Sequence, residues 1–542
     1  MFSITLLLIA AAFSARVTAV PRRSMVQEGD DVVVTVENGD LRGVVATSLN
    51  GALYNQFLGI PFATPPVGDL RFRDPQPAPS WSGVRDALTL ARGCPQTDYD
   101  GSEDCLYLNV YVPATGGGPF PVMVYIHGGG FSRGFSFDGT PHYFVEKGTV
   151  LVTTAYRLGA LGFMSLQNDD IPGNAGLKDQ VLALQWVQNN IASFGGDPSR
   201  VAIFGESAGG ASTSHLFLSP ATRGLFSQVI MQSGVATTPW ALADNPREKA
   251  YRMAEALGFQ AQGDNHTDDD DVRLAAFFRA ANYSDLINDT SIALSDLENR
   301  CPLSLAFVPA VEPPSDSAVI VEPPADILRT GSYNQVPIIV GVTSAEGTVV
   351  PTLTEAKIAD LKENFTMLIG SQLPLPTEEQ RIRAAEQLEQ FYFGDEGFST
   401  DDMQAVIDLF SDLYFIQSAD SFARTVANSN SLPVHFYFFE YNGTGSTDYG
   451  MKHAGETPYL FPSNSSGPDT DPNSNDGQVA DLLTTLWTNF PKYGDPAPSG
   501  SPVVWETLTA NASNYLDMQL EFTTRQDVLK ERMDFWRDIL AS

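Results

Sequence analysis

Short apolar runs alternate along the chain with segments whose apolar residues recur at helical spacing. The runs predicted as strands are rich in β-branched residues, and they cover residues 32–36, 52–60, 106–112, 121–126, 149–154, 201–204, 336–342 and 434–441, with 225–231 read as a strand or a buried turn. Their continuous apolar character is typical of a sheet covered on both faces. Helices are predicted over 177–194 and 528–540. The pattern predicts an α/β fold with a large, mostly parallel central sheet flanked by helices.

Two long segments, 244–322 and 354–430, depart from this alternation because helical patterns and polar loops dominate them. We expect them to be helical insertions beyond the carboxyl edge of the sheet. The first contains four consecutive aspartates at 268–271. Their spacing does not match a calcium-binding loop, so the sequence predicts a solvated acidic loop.

The N-terminus carries an apolar run at 4–13 that is too short to span a bilayer, followed by a cleavage site at Ala19. This predicts a signal peptide at 1–19 and a single domain at 20–542. The alternative to the signal peptide is a buried first strand or helix. No later segment has the pattern of a membrane span, so we expect a secreted, extracellular protein. Seven glycosylation sequons fit that route: Asn265, Asn282, Asn288, Asn364, Asn442, Asn464 and Asn511.

The charge balance bears on partners. With 65 acidic against 32 basic residues the formal net charge is -33, and lysine and arginine do not cluster. Nucleic acid is therefore excluded as a partner. The acidic surface is expected to serve solubility, the alternative being the steering of cationic substrates. Nothing in the sequence sets the oligomeric state.

Ser207 is the candidate nucleophile. It lies in Gly205-Glu-Ser-Ala-Gly209, between the predicted strand 201–204 and small residues that can begin a helix. On such a strand-to-helix turn this pattern makes a nucleophile elbow, whereas elsewhere it is only a glycine-rich turn. A serine hydroxyl is a weak nucleophile and needs a base and a carboxylate to orient that base.

His453 and Glu346 are the candidate base and acid. His453 lies in the loop after strand 434–441, and Glu346 directly follows strand 336–342. The order serine, acid, histidine is the one this machinery uses. The other five histidines fall in loops, a helix or a strand where packing explains them, and they are His127, His142, His215, His266 and His435. Two rival carboxylates, Asp360 and Glu363, fit a polar helix face.

A run of glycines at 128–130 follows strand 121–126 and offers unencumbered backbone amides to a developing oxyanion. A flexible turn is the alternative interpretation. The amide of Ala208, directly after the nucleophile, would complete the site. This chemistry requires no metal and no cofactor.

Several separate segments together resemble the type-B carboxylesterase/cholinesterase family of α/β-hydrolases. They are Phe57-Leu-Gly-Ile-Pro-Phe-Ala63, Ser102-Glu-Asp-Cys-Leu-Tyr-Leu-Asn109, the glycine run, Asn174-Ala-Gly-Leu-Lys-Asp-Gln180, Phe194-Gly-Gly-Asp-Pro198, the serine elbow and Gln232-Ser-Gly234. The resemblance implies the α/β-hydrolase fold with a gorge over the active site. Position by position, it implies a triad of Ser207, Glu346 and His453.

The same matching implies further roles. The oxyanion donors would be Gly129, Gly130 and Ala208, and Ser233 would hydrogen-bond near the acid and the histidine. It also implies an Arg71–Glu103 ion pair and a Cys94–Cys105 disulfide, which would leave Cys301 unpaired, and we expect Cys301 to be buried. Trp240 matches a position that lines the acyl pocket, but it could equally be a core residue.

The expected function is hydrolysis of small carboxylic esters. Because the short 94–105 loop lacks the tryptophan on which cholinesterases stack choline, uncharged esters should be preferred. The alternatives are a non-catalytic, cholinesterase-like binding or adhesion protein, and a lipase or a hormone or pheromone esterase within the same family. The sequence does not identify the physiological ester.

Overall fold

The computed structural model describes residues 27–541 except 98, 100, 137–138, 263–266, 351–352, 371–372, 374, 430 and 463–466. The predicted signal peptide, Asn265, His266 and Asn464 lie outside the described residues. The other five sequon asparagines are exposed. Within the described ranges, no helix combines the length and apolar character needed to cross a membrane.

A thirteen-stranded sheet forms the frame of the described chain. The strands are β1 (Asp31–Val36), β2 (Gly39–Thr47), β3 (Leu53–Pro61), β4 (Val84–Asp86), β5 (Tyr107–Pro113), β6 (Phe120–Ile126), β7 (Val150–Thr154), β8 (Gly196–Glu206), β9 (Gln228–Gln232), β10 (Ile338–Thr343), β11 (Val434–Phe439), β14 (Asn514–Met518) and β15 (Phe522–Gln526). A separate two-stranded ribbon pairs β12 (Ser446–Thr447) with β13 (Gly450–Met451).

The sheet is parallel in its centre and antiparallel at its ends. Its order is β1-β2-β3-β5-β7-β6-β8-β9-β10-β11-β14-β15, with β4 beside β2. The run from β7 to β14 is parallel throughout, whereas β1, β2, β3, β5 and β15 pair antiparallel with their neighbours in this order. This confirms the predicted mostly parallel sheet. The carboxyl ends of β6, β8, β9 and β10 therefore meet at one edge.

Helices cover both faces of the sheet. They are α1 (His142–Glu146), α2 (Gly159–Phe163), α3 (Ala175–Asn190), α4 (Ala208–Leu218), α5 (Pro246–Ala256), α6 (Asp268–Ala280), α7 (Tyr283–Ile287), α8 (Asp296–Arg300), α9 (Pro324–Thr330), α10 (Glu355–Glu363), α11 (Glu378–Phe393), α12 (Met403–Ser411), α13 (Gln417–Ser429), α14 (Thr457–Leu460), α15 (Asn475–Tyr493) and α16 (Lys530–Ala541). Helices α5 to α8 and α10 to α13 fill the two predicted insertions.

Side chains that alternate along each central strand enter two separate cores. In β6, Val122, Val124 and Ile126 pack into the core that contains α3, α4 and α13, while Met123 and Tyr125 pack into the core that contains α15. All five are nearly inaccessible to solvent. Burial on both faces explains why these strands read as continuous apolar runs.

The prediction of a solvated acidic loop at 268–271 was wrong. These aspartates form the first turn of α6, where Asp270 completes a capping box with Thr267. Asp271 is buried and binds the Arg247 guanidinium at 3.0 Å and the Tyr251 hydroxyl at 2.6 Å. Carboxylates are stabilised by the unpaired amides and the positive end of the dipole at a helix N-terminus, and this outweighs the crowding of like charges.

A disulfide joins Cys94 to Cys105. Beside it, the Arg71 guanidinium donates two hydrogen bonds to Glu103, at 2.7 and 2.6 Å, and a third to the carbonyl of Ala281 just past α6. The disulfide loop is thereby attached to the first insertion. Cys301 is unpaired, but it is half-buried rather than buried, because its side of the insertion borders a cavity.

Candidate active site

Ser207 lies on a sharp turn between β8 and α4. Its backbone has φ 58° and ψ -122°, in a region that serine rarely adopts, and its amide is held by the carbonyl of Gln232 at 2.8 Å. A side chain at Gly209 would put a Cβ 2.0 Å from the carbonyl of Ile126, so only glycine fits there. This strained strand-to-helix turn is the geometry of a nucleophile elbow.

The glycine loop after β6 runs directly beside the elbow. A Cβ built on Gly128 would lie 3.1 Å from the Cβ of Ser207. Gly129 and Gly130 have φ of 102° and 60°, and a Cβ on Gly129 would lie 2.2 Å from the carbonyl of Arg133. The loop therefore exposes bare backbone at the mouth of the elbow, opposite the first residue of α4, Ala208.

Glu346 begins a 3₁₀ turn just beyond β10 and is fully buried. One carboxylate oxygen, Oε1, accepts the Ser233 hydroxyl at 2.6 Å and the Thr343 amide at 2.7 Å. Ser233 itself follows β9 in a left-handed conformation. These donors leave the other oxygen, Oε2, free to bind the imidazole of His453 through Nδ1.

His453 lies in the loop after β13, with 9% of its side chain exposed. Its amide is held by the Thr348 hydroxyl at 3.1 Å, and the neighbouring residues form a bridge between Ala345 and Lys452. The acid and base loops are thus connected through their backbones. Burial alone would lower the pKa of His453, but the negative charges of Glu206 and Glu346 outweigh it and raise that pKa to about 9.

None of the other described histidines lines the cavity that contains Ser207. Burial lowers the pKa values of three of them, His127, His215 and His435, to about 4 each. His142 is half-buried and begins α1, where the sequence predicted a loop. The rival carboxylate Asp360 lies on α10 and pairs with Arg300 at 2.8 Å.

Two buried carboxyl groups near His453 were missed by the sequence analysis. Glu206, directly before Ser207, has Oε1 at 3.1 Å from His453 Nε2. Glu456 accepts hydrogen bonds from Gln232 at 3.2 Å and from the Tyr437 hydroxyl at 3.0 Å. A glutamate at the end of an apolar strand was the available signal for the first; nothing in the local sequence marked the second.

The charge of Glu206 is opposed by its surroundings. Burial raises its pKa to about 8, and the nearby carboxylates of Glu456 and Glu346 act in the same direction, against the effect of His453. Within the described part of the chain, its Oε1 receives no well-directed hydrogen bond. Burial and the neighbouring carboxylates therefore favour the neutral form of Glu206, whereas His453 favours its charged form.

A cavity of about 440 Å³ brings these groups together. Its wall includes Gly129, Gly130, Glu206, Ser207 and His453. The insertions supply Leu303, Leu305 and Phe415, and the Phe415 ring lies 4.8 Å from that of His453. Trp240 is also in the wall, and it is at the same time a buried member of the main core. In the described residues, Ser207 Oγ and His453 Nε2 share the cavity without a direct hydrogen bond.

Metal-dependent chemistry would need a cluster of ligands. Among the described residues, no group of three or more histidine, cysteine, aspartate or glutamate side chains has an arrangement suited to a metal ion. The acidic groups around His453 instead contact imidazole, serine, tyrosine and amide donors.

The parallel sheet, the strained serine turn at its carboxyl edge and the late acid and histidine loops define an α/β-hydrolase. The chain belongs to the carboxylesterase family, whose model matches residues 30–536. The chain is therefore a carboxylesterase by family, and the predicted α/β-hydrolase fold is confirmed.

Individual relatives agree. The chain is 33% identical to a juvenile hormone esterase of Tribolium castaneum, over 93% of both chains. It is 31% identical to a carboxylic ester hydrolase of Bombus ignitus, over 92% of this chain and 93% of the relative. A crystal structure of juvenile hormone esterase from Manduca sexta with OTFP covalently attached superposes with a TM-score of 0.84 and 29% identity, covering 95% of this chain and all of that one.

Proposed function

We propose that this protein hydrolyses carboxylic esters through a covalent acyl-enzyme on Ser207, with His453 as general base and Glu346 as its orienting carboxylate. The observation that carries the proposal is the contact of the buried Glu346 with His453, which lines the same cavity as the strained Ser207. A carboxylate on Nδ1 fixes the tautomer whose Nε2 accepts a proton.

The first half-reaction forms the acyl-enzyme. As Ser207 Oγ attacks the ester carbonyl carbon, its proton passes to His453 Nε2 and the carbonyl oxygen becomes an oxyanion. The amides of Gly129, Gly130 and Ala208 donate to that oxyanion. The imidazolium then gives its proton to the alcohol oxygen, the carbon–oxygen bond breaks, and the alcohol leaves.

Water completes the cycle. His453 takes a proton from a water molecule as the water oxygen attacks the acyl carbon. The imidazolium then gives this proton to Ser207 Oγ as the bond between Oγ and the acyl carbon breaks and the acid leaves. Glu346 keeps its charge throughout and stabilises the imidazolium. Its burial against the Ser233 hydroxyl and the Thr343 amide keeps it aligned.

The test is labelling and replacement of Ser207. An organophosphate should modify the wild-type protein at Ser207, as read by peptide mass spectrometry, and Ser207→Ala should lose both labelling and turnover of p-nitrophenyl butyrate. Ser227→Ala, a serine of the β8–β9 loop whose hydroxyl bonds the carbonyl of Val201, is the matched control and should keep both. More than a few per cent residual activity in folded Ser207→Ala would contradict the assignment.

A non-catalytic binding protein is the competing function. Such a protein would need neither the strained serine nor the buried acid–base pair, and it would show neither labelling nor hydrolysis in the same experiment. Secretion is likewise part of the proposal, supported by the exposure of the five described sequon asparagines and by a disulfide, which persists in oxidising compartments. Glycosidase treatment of protein from an insect-cell medium would test it through a fall in mass.

A further inference from the structure

The two glycine amides proposed to bind the oxyanion belong to peptide groups whose carbonyl oxygens are themselves held by hydrogen bonds. In a trans peptide the N–H points away from the C=O, so a bond that holds the carbonyl also sets the direction of the amide. The carbonyl of Gly128 accepts a hydrogen bond from His127 Nδ1 at 3.0 Å, and the same peptide carries the amide of Gly129. The carbonyl of Gly129 accepts the amide of Arg133 at 3.0 Å, and that peptide carries the amide of Gly130. Both donors therefore depend on the turn that follows them.

Gly134 closes this turn against the first of the two carbonyls. A Cβ built on Gly134 would lie 2.2 Å from His127 Nδ1 and 2.6 Å from the carbonyl oxygen of Gly128, and the φ of Gly134 is 120°. Only glycine permits so close an approach at such a φ. The backbone of Gly134 therefore packs directly on the hydrogen bond between His127 and Gly128.

A single side chain, that of Gln96, binds both backbone groups of Gly134. The carboxamide accepts the Gly134 amide through Oε1 at 2.9 Å and donates from Nε2 to the Gly134 carbonyl at 3.1 Å. Gln96 is buried within the disulfide loop, and its Nε2 also donates to the carbonyl of Cys94 at 3.2 Å. The carboxamide thus binds Gly134 as the backbone of a paired strand would.

The disulfide loop holds Gln96 from behind. Gln96 and Tyr99 exchange backbone hydrogen bonds at 3.3 and 3.0 Å, and the disulfide begins two residues before Gln96, at Cys94. The ring of Tyr99 stands edge-on to that of Phe135, with 4.9 Å between the ring centroids. The loop therefore contacts the turn at two successive residues, Gly134 and Phe135.

We propose that Gln96 is a positioning residue for oxyanion stabilisation, because its carboxamide fixes Gly134 and, through Gly134, the directions of the two glycine amides. Gln96 is not part of the described wall of the cavity that contains Ser207, so it acts through the loop and not on the ester. The proposal rests on the proposed function, since an oxyanion develops only if Ser207 attacks the ester carbonyl. Its loss should therefore weaken binding of the transition state more than binding of the substrate.

The first test is Gln96→Met, which keeps the length of the side chain and removes both hydrogen bonds to Gly134. With p-nitrophenyl butyrate it should lower kcat at least about tenfold, since a misaligned donor costs less than the about 100-fold of a deleted one, and it should leave KM within about threefold. The acidic limb of the pH–activity profile should stay in place, because none of the described hydrogen bonds of the Gln96 side chain involves His453.

Gln188→Met is the matched control. Gln188 on α3 likewise donates to two backbone carbonyls, those of Pro198 and Leu225, at 2.9 Å each. It holds a connection of the sheet and not the glycine loop, so its replacement should keep kcat within about twofold of the wild type, outside the loss expected for an oxyanion donor.

A transition-state analogue separates positioning from a general loosening of the fold. An alkyl trifluoromethyl ketone forms a hemiketal with Ser207: Oγ bonds to the carbonyl carbon, the serine proton passes to His453, and the ketone oxygen becomes an oxyanion. In Gln96→Met its affinity should fall by the same factor as kcat/KM, while the affinity of the corresponding methyl ketone, which stays trigonal, should change by less than about twofold. Gln96→Glu keeps the acceptor for the Gly134 amide and loses the donor, so it should show the same pattern with a smaller loss.

Three results overturn the inference. They are an unchanged kcat in folded Gln96→Met and Gln96→Glu, equal losses of affinity for the two ketones, and a loss of kcat in Gln188→Met as large as that in Gln96→Met. Failure of the catalytic proposal has a different signature. In that case the wild type would bind the trifluoromethyl ketone no more tightly than the methyl ketone, and Ser207→Ala would bind both as the wild type does.

Discussion

Replacing Glu206 by glutamine should move the acidic limb of the pH–activity profile to lower pH. The carboxyl group of Glu206 lies 3.1 Å from Nε2 of His453, the atom that accepts the serine proton in the proposed mechanism. It is the largest of the influences that raise the pKa of His453 to about 9. Glutamine keeps the shape of the side chain and removes only its charge.

The magnitude follows from that pKa. The rise above the ordinary histidine value, close to 6.5, corresponds to about 3 kcal/mol in favour of the imidazolium, at 1.36 kcal/mol per unit. Opposite charges this close change a pKa by about one to three units. Glu346 supplies part of the effect and burial acts against it, so removal of Glu206 should lower the pKa of His453 by about one unit or more.

The direction in which Glu206→Gln changes the rate follows from the proposed role of His453 as general base. Only the neutral imidazole accepts a proton, so activity is lost as pH falls through its pKa. The wild-type limb should lie above pH 6.5, and in Glu206→Gln it should shift downwards, so that the variant gains relative activity near pH 6. Its alkaline plateau should fall, because an amide stabilises the imidazolium of the transition state less than a carboxylate does.

The assay is kcat/KM for an uncharged p-nitrophenyl ester between about pH 5 and pH 10, with folding checked by circular dichroism at each pH. Glu456→Gln is the matched control, since Glu456 is buried in the same cluster but bonds to Gln232 and Tyr437 instead of His453. It should shift the limb less. An unchanged limb in Glu206→Gln, or one displaced to higher pH, would refute the reasoning.

Three further predictions concern the oxyanion loop, the disulfide and the substrate. Gly129→Ala should lower kcat about 100-fold through loss of an oxyanion donor, since its Cβ would clash with the carbonyl of Arg133. Gly130→Ala is strained only by its positive φ and makes ordinary contacts, so it should lose less, and equal losses would argue against the placement. Replacing both Cys94 and Cys105 by serine should reduce the free energy of unfolding in urea by about 3 kcal/mol for a loop of this length, and no change would show that the loop adds no constraint. An uncharged thioester should be hydrolysed better than butyrylthiocholine at moderate salt, because the missing choline-stacking contact is worth about 2 kcal/mol and surface attraction is screened within about 8 Å; a clear preference for the choline ester would reverse this expectation.

The sheet was predictable because its central strands are buried on both faces and therefore appear as unbroken apolar runs. In β6, for example, both faces of the strand are apolar: Val122, Val124 and Ile126 lie on one face and Met123 and Tyr125 on the other. The acidic run at 268–271 misled because composition alone does not reveal a helix N-terminus, where carboxylates are stabilised.

Some residues of the candidate site could likewise be predicted from the sequence and others could not. Ser207 and the glycine loop follow strands within a few residues, so local order along the chain was enough to place them. Glu206 approaches His453 only through tertiary packing, because the two residues are 247 positions apart in the chain but 3.1 Å apart in space. Such contacts depend on tertiary register, which no single-sequence pattern encodes.

The loop of Glu346 and the loop of His453 are linked through their backbones, whereas Ser207 lies outside this link. Because the Ala345–Lys452 bridge and the Thr348 hydroxyl bind one loop to the other, a displacement of this edge carries His453 and Glu346 together and leaves their contact intact. Ser207 belongs to a different element and does not share that displacement. In the proposed mechanism, the distance between Ser207 Oγ and His453 Nε2 is therefore the quantity through which changes in the insertions can alter the rate while the Glu346–His453 contact stays intact.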